Sequence, residues 1–334
     1  MTLISLLFAL LIEQVRPIRH GNPIHMAVDA WLVQIKPTGS DMRRAWAVWI
    51  LLVAGIAVAS LLVLGLLQWG GGVLQSALLE LLFTVGVLYL TMGFRRFSHW
   101  FHDIQSALRA NDLVTARSVL ARWVEASGGD SVAEAASRDG NASEVARESI
   151  RLALVAAQRQ VFGVIFWFVL LPGPAGALAY WLSARLLSCW AGQGRGLPTD
   201  AAGRVAMTAY RWLDWAPVRV TAAIFAVVGN FEDSVAMWRA RATAAPGSRD
   251  DTDRILLASG AGAMGFRLSV PDAPAGYTGL EEADLNAAAA PGGYEPDLRE
   301  AEFSSLDTAT GLVWRAIVMW FFMVLLFHLG RWFA

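Results

Sequence analysis

The chain has 334 residues, 56% of them hydrophobic, with 15 Trp and a mean hydropathy of +0.46. That excess over ordinary globular domains is gathered in long runs and marks a membrane protein, so the lipid bilayer is an expected partner. A net charge of −1, from 27 basic and 28 acidic residues, provides no global attraction to nucleic acid. The single cysteine, Cys189, excludes an internal disulfide and a multi-cysteine metal centre; no metal and no cofactor are expected.

Residues 2–12 are apolar and end at Glu13, too short for a bilayer that needs about 20 helical residues. They lack the basic start and small-residue cleavage site of a signal peptide, so a shallow or buried helix is expected. Residues 15–25 carry two prolines and a glycine and are expected to form a loop. Residues 46–69 form the clearest transmembrane helix, preceded by Lys36, Arg43 and Arg44. A turn at residues 70–72 and a returning helix over 73–92 follow, and then Arg95 and Arg96. Basic residues at both open ends of this hairpin place those ends in the cytoplasm and the glycine turn outside. Glu80 lies inside the second helix and should face protein.

Residues 95–160 are polar and helical, with a loop expected over 128–141. His99 and His102 stand near each other there, but two histidines without a third firm ligand do not make a metal site; surface or interfacial histidines are expected. Residues 161–187 are apolar but broken by Pro172, Gly173 and Pro174. A single kinked span and a re-entrant helical hairpin compete, and the hairpin is favoured by the arginines that follow. Residues 270–307 are rich in Pro, Gly, Ala and acids and read as a flexible acidic loop. Residues 312–329 are the last span. The expected organisation is all-α and polytopic: a membrane region over 1–92, a cytoplasmic helical region over 93–160, a membrane or re-entrant region over 161–232, a cytoplasmic region over 233–311 and a last transmembrane helix over 312–334.

Residues 210–232 hold the candidate site. Arg211, Asp214 and Arg219 stand at the mouth of a short apolar run. Charges there either anchor the run at the interface or form a buried, paired site. Pro217 suggests a helix starting at that residue, with Arg219 in its first turn, where free backbone N–H groups favour an anion. Asp214 would then cap the helix or pair with Arg219, and Trp215 would shape the pocket. Gly260, Gly262 and Gly265 spell G-x-G-x-x-G. Residues 255–258 could be a strand before it, but the following residues run into prolines and cannot form the helix a dinucleotide site needs.

Residues 261–268, AGAMGFRL, resemble the AGALGVRL motif of the CobD/CbiB family, membrane proteins of cobalamin biosynthesis. Residues 113–123 and 162–180 resemble further stretches of that family. Residues 213–219, LDWAPVR, most resemble the related AmpE-like proteins, inner-membrane proteins tied to β-lactamase induction. The resemblance implies an inner-membrane protein whose ligand is a corrinoid or another small anion. The cobalamin family's acidic run is replaced here by Leu154, Gln158 and Phe162, and its Asp-Asp pair by Tyr210 and Arg211. Its later PNxGxP stretch is replaced by Asp251, Thr252, Arg254 and Leu256. Magnesium or a general base would require such carboxylates. Their loss points to a non-catalytic, AmpE-like sensor or accessory protein. The alternative is the amide-forming adenosylcobinamide-phosphate synthase reaction, joining an aminoalcohol phosphate to adenosylcobyric acid. Residues that survive, His102, Arg219 and Gly262, together with Asp214, Trp215 and Gly265, are the ligand-binding candidates.

Overall fold

The computed structural model describes residues 2–15, 22–69, 73–127, 131–191, 198, 200–242, 251–266, 268, 298–299 and 304–333. The turn at 70–72 and nearly all of the acidic segment lie outside them. The described chain is helical, with one isolated bridge between Phe266 and Arg299. Among the described residues, four helices are long and apolar enough to cross a membrane: Met42–Trp69, Leu74–Thr91, Ala142–Leu170 and Ser305–Phe327. The protein is a multi-pass membrane protein.

Helix α1 (Thr2–Val15) buries Leu6 and Ala9 and leaves Ile4, Leu7, Phe8 and Leu11 exposed. This is the shallow helix expected, with one side held by the returning helix α4 (Val73–Thr91). The expected loop over 15–25 is shorter than its prolines suggested. Residues 16–21 lie outside the described set, but α2 (Pro23–Gln34) already begins at Pro23, with the Asn22 side chain accepting from Ile24 N. Proline is tolerated there because the first helical N–H has no intrahelical acceptor. In α3 (Met42–Trp69), Gln68 donates to Glu80 of α4 at 3.3 Å, the polar contact expected of that buried-span acid.

Helices α5 (Phe94–Arg109), α6 (Leu113–Ser127) and α7 (Ser131–Asp139) form the first polar region. Glu13 accepts from Arg95 N at 3.0 Å and so caps α5 from a distance in sequence. Helix α7 corrects the loop expected over 128–141. Its GGD lead and RDGN tail are turn residues, but the alanine-rich stretch between them is a good helix former. Asn141 and Glu144 then form a reciprocal capping box that starts α8 (Ala142–Ala157).

Helix α8 passes through a π-helical segment, Gln158–Phe162, straight into α9 (Gly163–Leu170). The apolar run from 161 therefore folds as a hairpin and not as one kinked span, but its first arm is the end of a 29-residue helix. The chain reverses over Pro172–Pro174, with Gly173 at φ +62°, into α10 (Ala175–Trp190). A Cβ at Gly176 would lie 2.0 Å from Trp167 O, so glycine is what lets α10 fold back against α9.

Helix α11 (Ala201–Val228) carries α12 (Phe231–Ala242) and α13 (Asp251–Met264) as a pair packed on it. Residues 255–258 belong to α13, which corrects the possible strand. A Cβ at Gly262 would meet Asp233 O at 2.5 Å, and Ser234, Ser259 and the Ala222 carbonyl are joined by hydrogen bonds. Small residues at these crossings allow close helix approach. The last helix, α14 (Ser305–Phe333), starts before the expected residue 312, and its first-turn Asp307 pairs with Arg109 at 2.6 Å.

Candidate functional site

The centre of the molecule is α11, which runs unbroken through Pro217 and so overturns the helix start expected at that residue. A proline inside a helix cannot donate to the carbonyl four residues earlier, here Leu213 O. That acceptor is taken by the indole of Trp167 on α9, Nε1 to O 3.1 Å. A tertiary contact thus replaces the missing backbone bond, and the helix carries on.

Helical periodicity then divides the 210–219 motif between two faces. Tyr210, Asp214 and Pro217 face inward and are buried, while Arg211, Trp212, Trp215 and Arg219 face outward. Asp214 is fully buried and is bonded to Gln158 and Tyr180. It neither caps a helix nor pairs with Arg219. The guanidinium of Arg219 lies 4.2 Å from the Trp215 ring centroid and donates to Trp215 O at 3.0 Å.

The inner face holds a connected polar cluster. Tyr180 of α10 donates to Asp214 Oδ1 at 2.8 Å, and Gln158 Nε2 donates to the same oxygen at 3.0 Å. Tyr210 and Tyr180 share a hydroxyl contact of 2.9 Å. With the Tyr180 proton committed to the carboxylate, Tyr210 is the donor in that contact. Arg159 pairs with Asp253 of α13 at 2.7 Å and lies 5.9 Å from the Tyr210 ring centroid. The π segment, a feature often found at functional sites, supplies both Gln158 and Arg159. Gly163, next to it, leaves room for the phenol: a Cβ there would lie 2.2 Å from Tyr180 Cζ. Asp214 Oδ2, Gln158 Oε1 and Asp253 Oδ1 are buried acceptors that receive no hydrogen bond from the described residues. Helix α11 is not one of the apolar spans. Burial pushes the Asp214 carboxyl up to about 6, against the hydrogen bonds from Gln158 and Tyr180 and the charge of Arg159.

The outer face forms one wall of a cleft of about 680 Å³, with Thr208, Arg211, Trp212, Trp215 and Arg219 from α11 and Thr252 and Ile255 from α13. It offers two guanidinium groups, two indoles and two hydroxyls, and no acid among the described lining residues. Such a set of side chains has the chemistry to hold an anion with an organic portion.

Of the residues singled out from the sequence, Arg219 and Trp215 line the cleft and Asp214 stands behind them in the cluster. Gly262 and Gly265 belong to α13 and its end: the first permits close packing on α12, and the second adopts φ +73° to terminate the helix. His102 is exposed on α5 and does not line the cleft. Sequence reasoning did not single out Arg159, Tyr180, Thr208, Asp253 or Ile255 as site residues. It did mark Gln158, Tyr210, Arg211 and Thr252, as the positions where the CobD/CbiB pattern is broken. In the structure these line the cluster or the cleft.

Comparison with known proteins gives the family. The family model described as "Regulatory signalling modulator protein AmpE" matches residues 1–250. The chain belongs to the AmpE family. It is also similar to two proteins named "Cobalamin biosynthesis protein CobD". The one from Chromobacterium violaceum is 28% identical over 224 residues, covering 66% of this chain and 66% of that protein. The one from Stutzerimonas stutzeri is 29% identical over 250 residues, covering 74% of this chain and 72% of that protein. No solved structure matches. The AmpE match takes in the cluster helices α8 to α11 and the 213–219 motif, and it ends just before α13, which contributes Asp253 and Thr252.

Proposed function

We propose that this AmpE-family protein is a non-catalytic sensor or accessory protein of the inner membrane, which binds a small anionic ligand in the cleft on α11. The observation that carries this reading is the makeup of the cleft: Arg211 and Arg219 flanked by Trp212 and Trp215, with no carboxylate or imidazole among the described lining residues. Positions where the cobalamin family's pattern carries acids hold Gln158, Tyr210 and Arg211 here. The nearest buried acids, Asp214 and Asp253, are engaged by Gln158, Tyr180 and Arg159. Arg219 and Arg211 recognise the anion, Trp215 stacks and orients Arg219, and Asp214 holds α11 in place from behind.

Arg219→Lys separates recognition from simple charge. Lysine keeps the charge but loses the planar fork and its stacking on Trp215. The variant is expected to reach the membrane folded, with normal abundance and thermal midpoint in detergent, and to lose the phenotype the wild-type gene supplies. A folded, fully active lysine variant counts against the anion site.

A second reading is favoured by the similarity to the two CobD proteins: an enzyme that joins an aminoalcohol phosphate to adenosylcobyric acid. Expression in a strain lacking its own adenosylcobinamide-phosphate synthase decides between them. Restored corrinoid synthesis would overturn the non-catalytic reading.

A further inference from the structure

The cleft on α11 has a property that a site for a freely diffusing anion would not need. Both of its indoles are exposed, Trp212 at 80% and Trp215 at 57%. Beside them on the same helical face, at spacings of three or four residues, stand Arg204, Thr208, Arg211 and Arg219. In a multi-pass membrane protein, tryptophan and arginine exposed together mark the level of the lipid headgroups. A helix bearing such a face is suited to lie along the interface. Water-facing clefts, by contrast, gain nothing from leaving indoles uncovered.

We propose that the cleft receives the phosphate of an anionic phospholipid, its glycerol backbone held between the indoles. This rests on the anion reading given above and names the chemical class of the ligand. Stacking on Trp215 uses the face of the Arg219 guanidinium, and one Nη1 contact goes to Trp215 O; the rest of the planar edge is left to meet phosphate oxygens. Arg211 supplies the second cation from one turn away. Thr208 donates its proton to Arg204 O at 2.8 Å, so its hydroxyl offers a lone pair, which suits a hydroxyl of the lipid headgroup better than a phosphate oxygen. Thr252 and Ile255 of α13 close the opposite wall. The volume of about 680 Å³ exceeds what a bare phosphate needs and falls within the range of sites for small organic ligands.

The same phosphate chemistry could be delivered by a soluble ester, so the test uses both sources. Wild-type protein is placed in phosphatidylcholine nanodiscs with rising fractions of phosphatidylglycerol, or in phosphatidylcholine alone with soluble glycerol phosphate. The thermal midpoint is read in each. Phosphatidylglycerol is expected to raise the midpoint saturably while glycerol phosphate does not. In Arg211→Gln/Arg219→Gln the fraction giving half the effect should rise by about tenfold, as for loss of charge-assisted bonds. Should that pair not fold, Arg211→Lys/Arg219→Lys is read in its place, with a weaker but still reduced lipid response expected. Stabilisation by glycerol phosphate and not by phosphatidylglycerol would leave the anion site standing and overturn the lipid assignment. No response to either ligand would overturn both. A phosphatidylglycerol response undiminished in the variants would place the lipid elsewhere and overturn the assignment to this cleft.

Discussion

The hydrogen bond from Trp167 to Leu213 O explains how α11 runs through a proline, and a double-mutant cycle tests it. Trp167→Phe removes the indole N–H and leaves the Leu213 carbonyl, which Pro217 cannot serve, without its donor. Losing that bond to a sheltered carbonyl should cost about 1–3 kcal/mol, in addition to the packing lost with the smaller ring. In a Pro217→Ala background the backbone N–H of residue 217 can bond Leu213 O itself, and only the packing loss should remain. Pro217→Ala alone should be neutral or stabilising, by at most about 3 kcal/mol, since proline is the poorest residue inside a helix. The packing change is common to both backgrounds and cancels, so the coupling between the two sites should be about 1–3 kcal/mol. Reversible unfolding in mixed micelles, followed by circular dichroism, measures all four corners of the cycle. Additivity, with Trp167→Phe costing the same with or without the proline, would refute the account of how the helix survives.

Three further outcomes follow from the same geometry. Tyr180→Phe deletes a hydroxyl that bonds a carboxylate, whereas Tyr210→Phe deletes one that bonds only another phenol; about 2–3 against about 1 kcal/mol is expected in the same unfolding assay, and an inverted order would mean that Asp214 is not the anchor of the cluster. The folded Asp214 carboxyl at about 6, against an ordinary 3.8, holds its proton more tightly than the unfolded chain does. Its contribution to stability is therefore fully present below pH ~4 and lost as pH rises through ~6, by about 3 kcal/mol. Asp214→Asn should lack that loss, and wild-type and variant stability profiles that stay parallel from pH ~4 to ~7 would contradict it. Finally, the Arg109–Asp307 and Arg159–Asp253 pairs tie the two polar regions together, and the arginine distribution leads us to expect both in the cytoplasm. Single cysteines at Ser127 and Arg239, in a Cys189→Ser background, should both resist a membrane-impermeant maleimide in whole cells; labelling of either would reverse the topology.

Composition and hydropathy alone established an all-α membrane protein, because a bilayer admits few ways to satisfy a backbone and long apolar runs report one of them directly. The AmpE likeness of residues 213–219 was equally legible, since it rests on adjacent residue identities. Arg219 and Trp215, singled out from the same motif, line the cleft. What could not be read was which way each residue of that motif faces. The local rule says that proline at 217 begins a helix, and under it Asp214 and Arg219 belong to one end and one site. The rule is overridden by an indole 46 residues earlier that supplies the missing hydrogen bond. Once α11 is continuous, its 3.6-residue period sends Asp214 inward and Arg219 outward. The cluster partners Arg159, Tyr180 and Asp253 come from three other parts of the chain, and their approach depends on a π turn and on the absence of a side chain at Gly163. Sequence spacing carries periodicity within one element. Contacts between elements are decided by packing, where a single missing Cβ or a single indole N–H determines which residues meet.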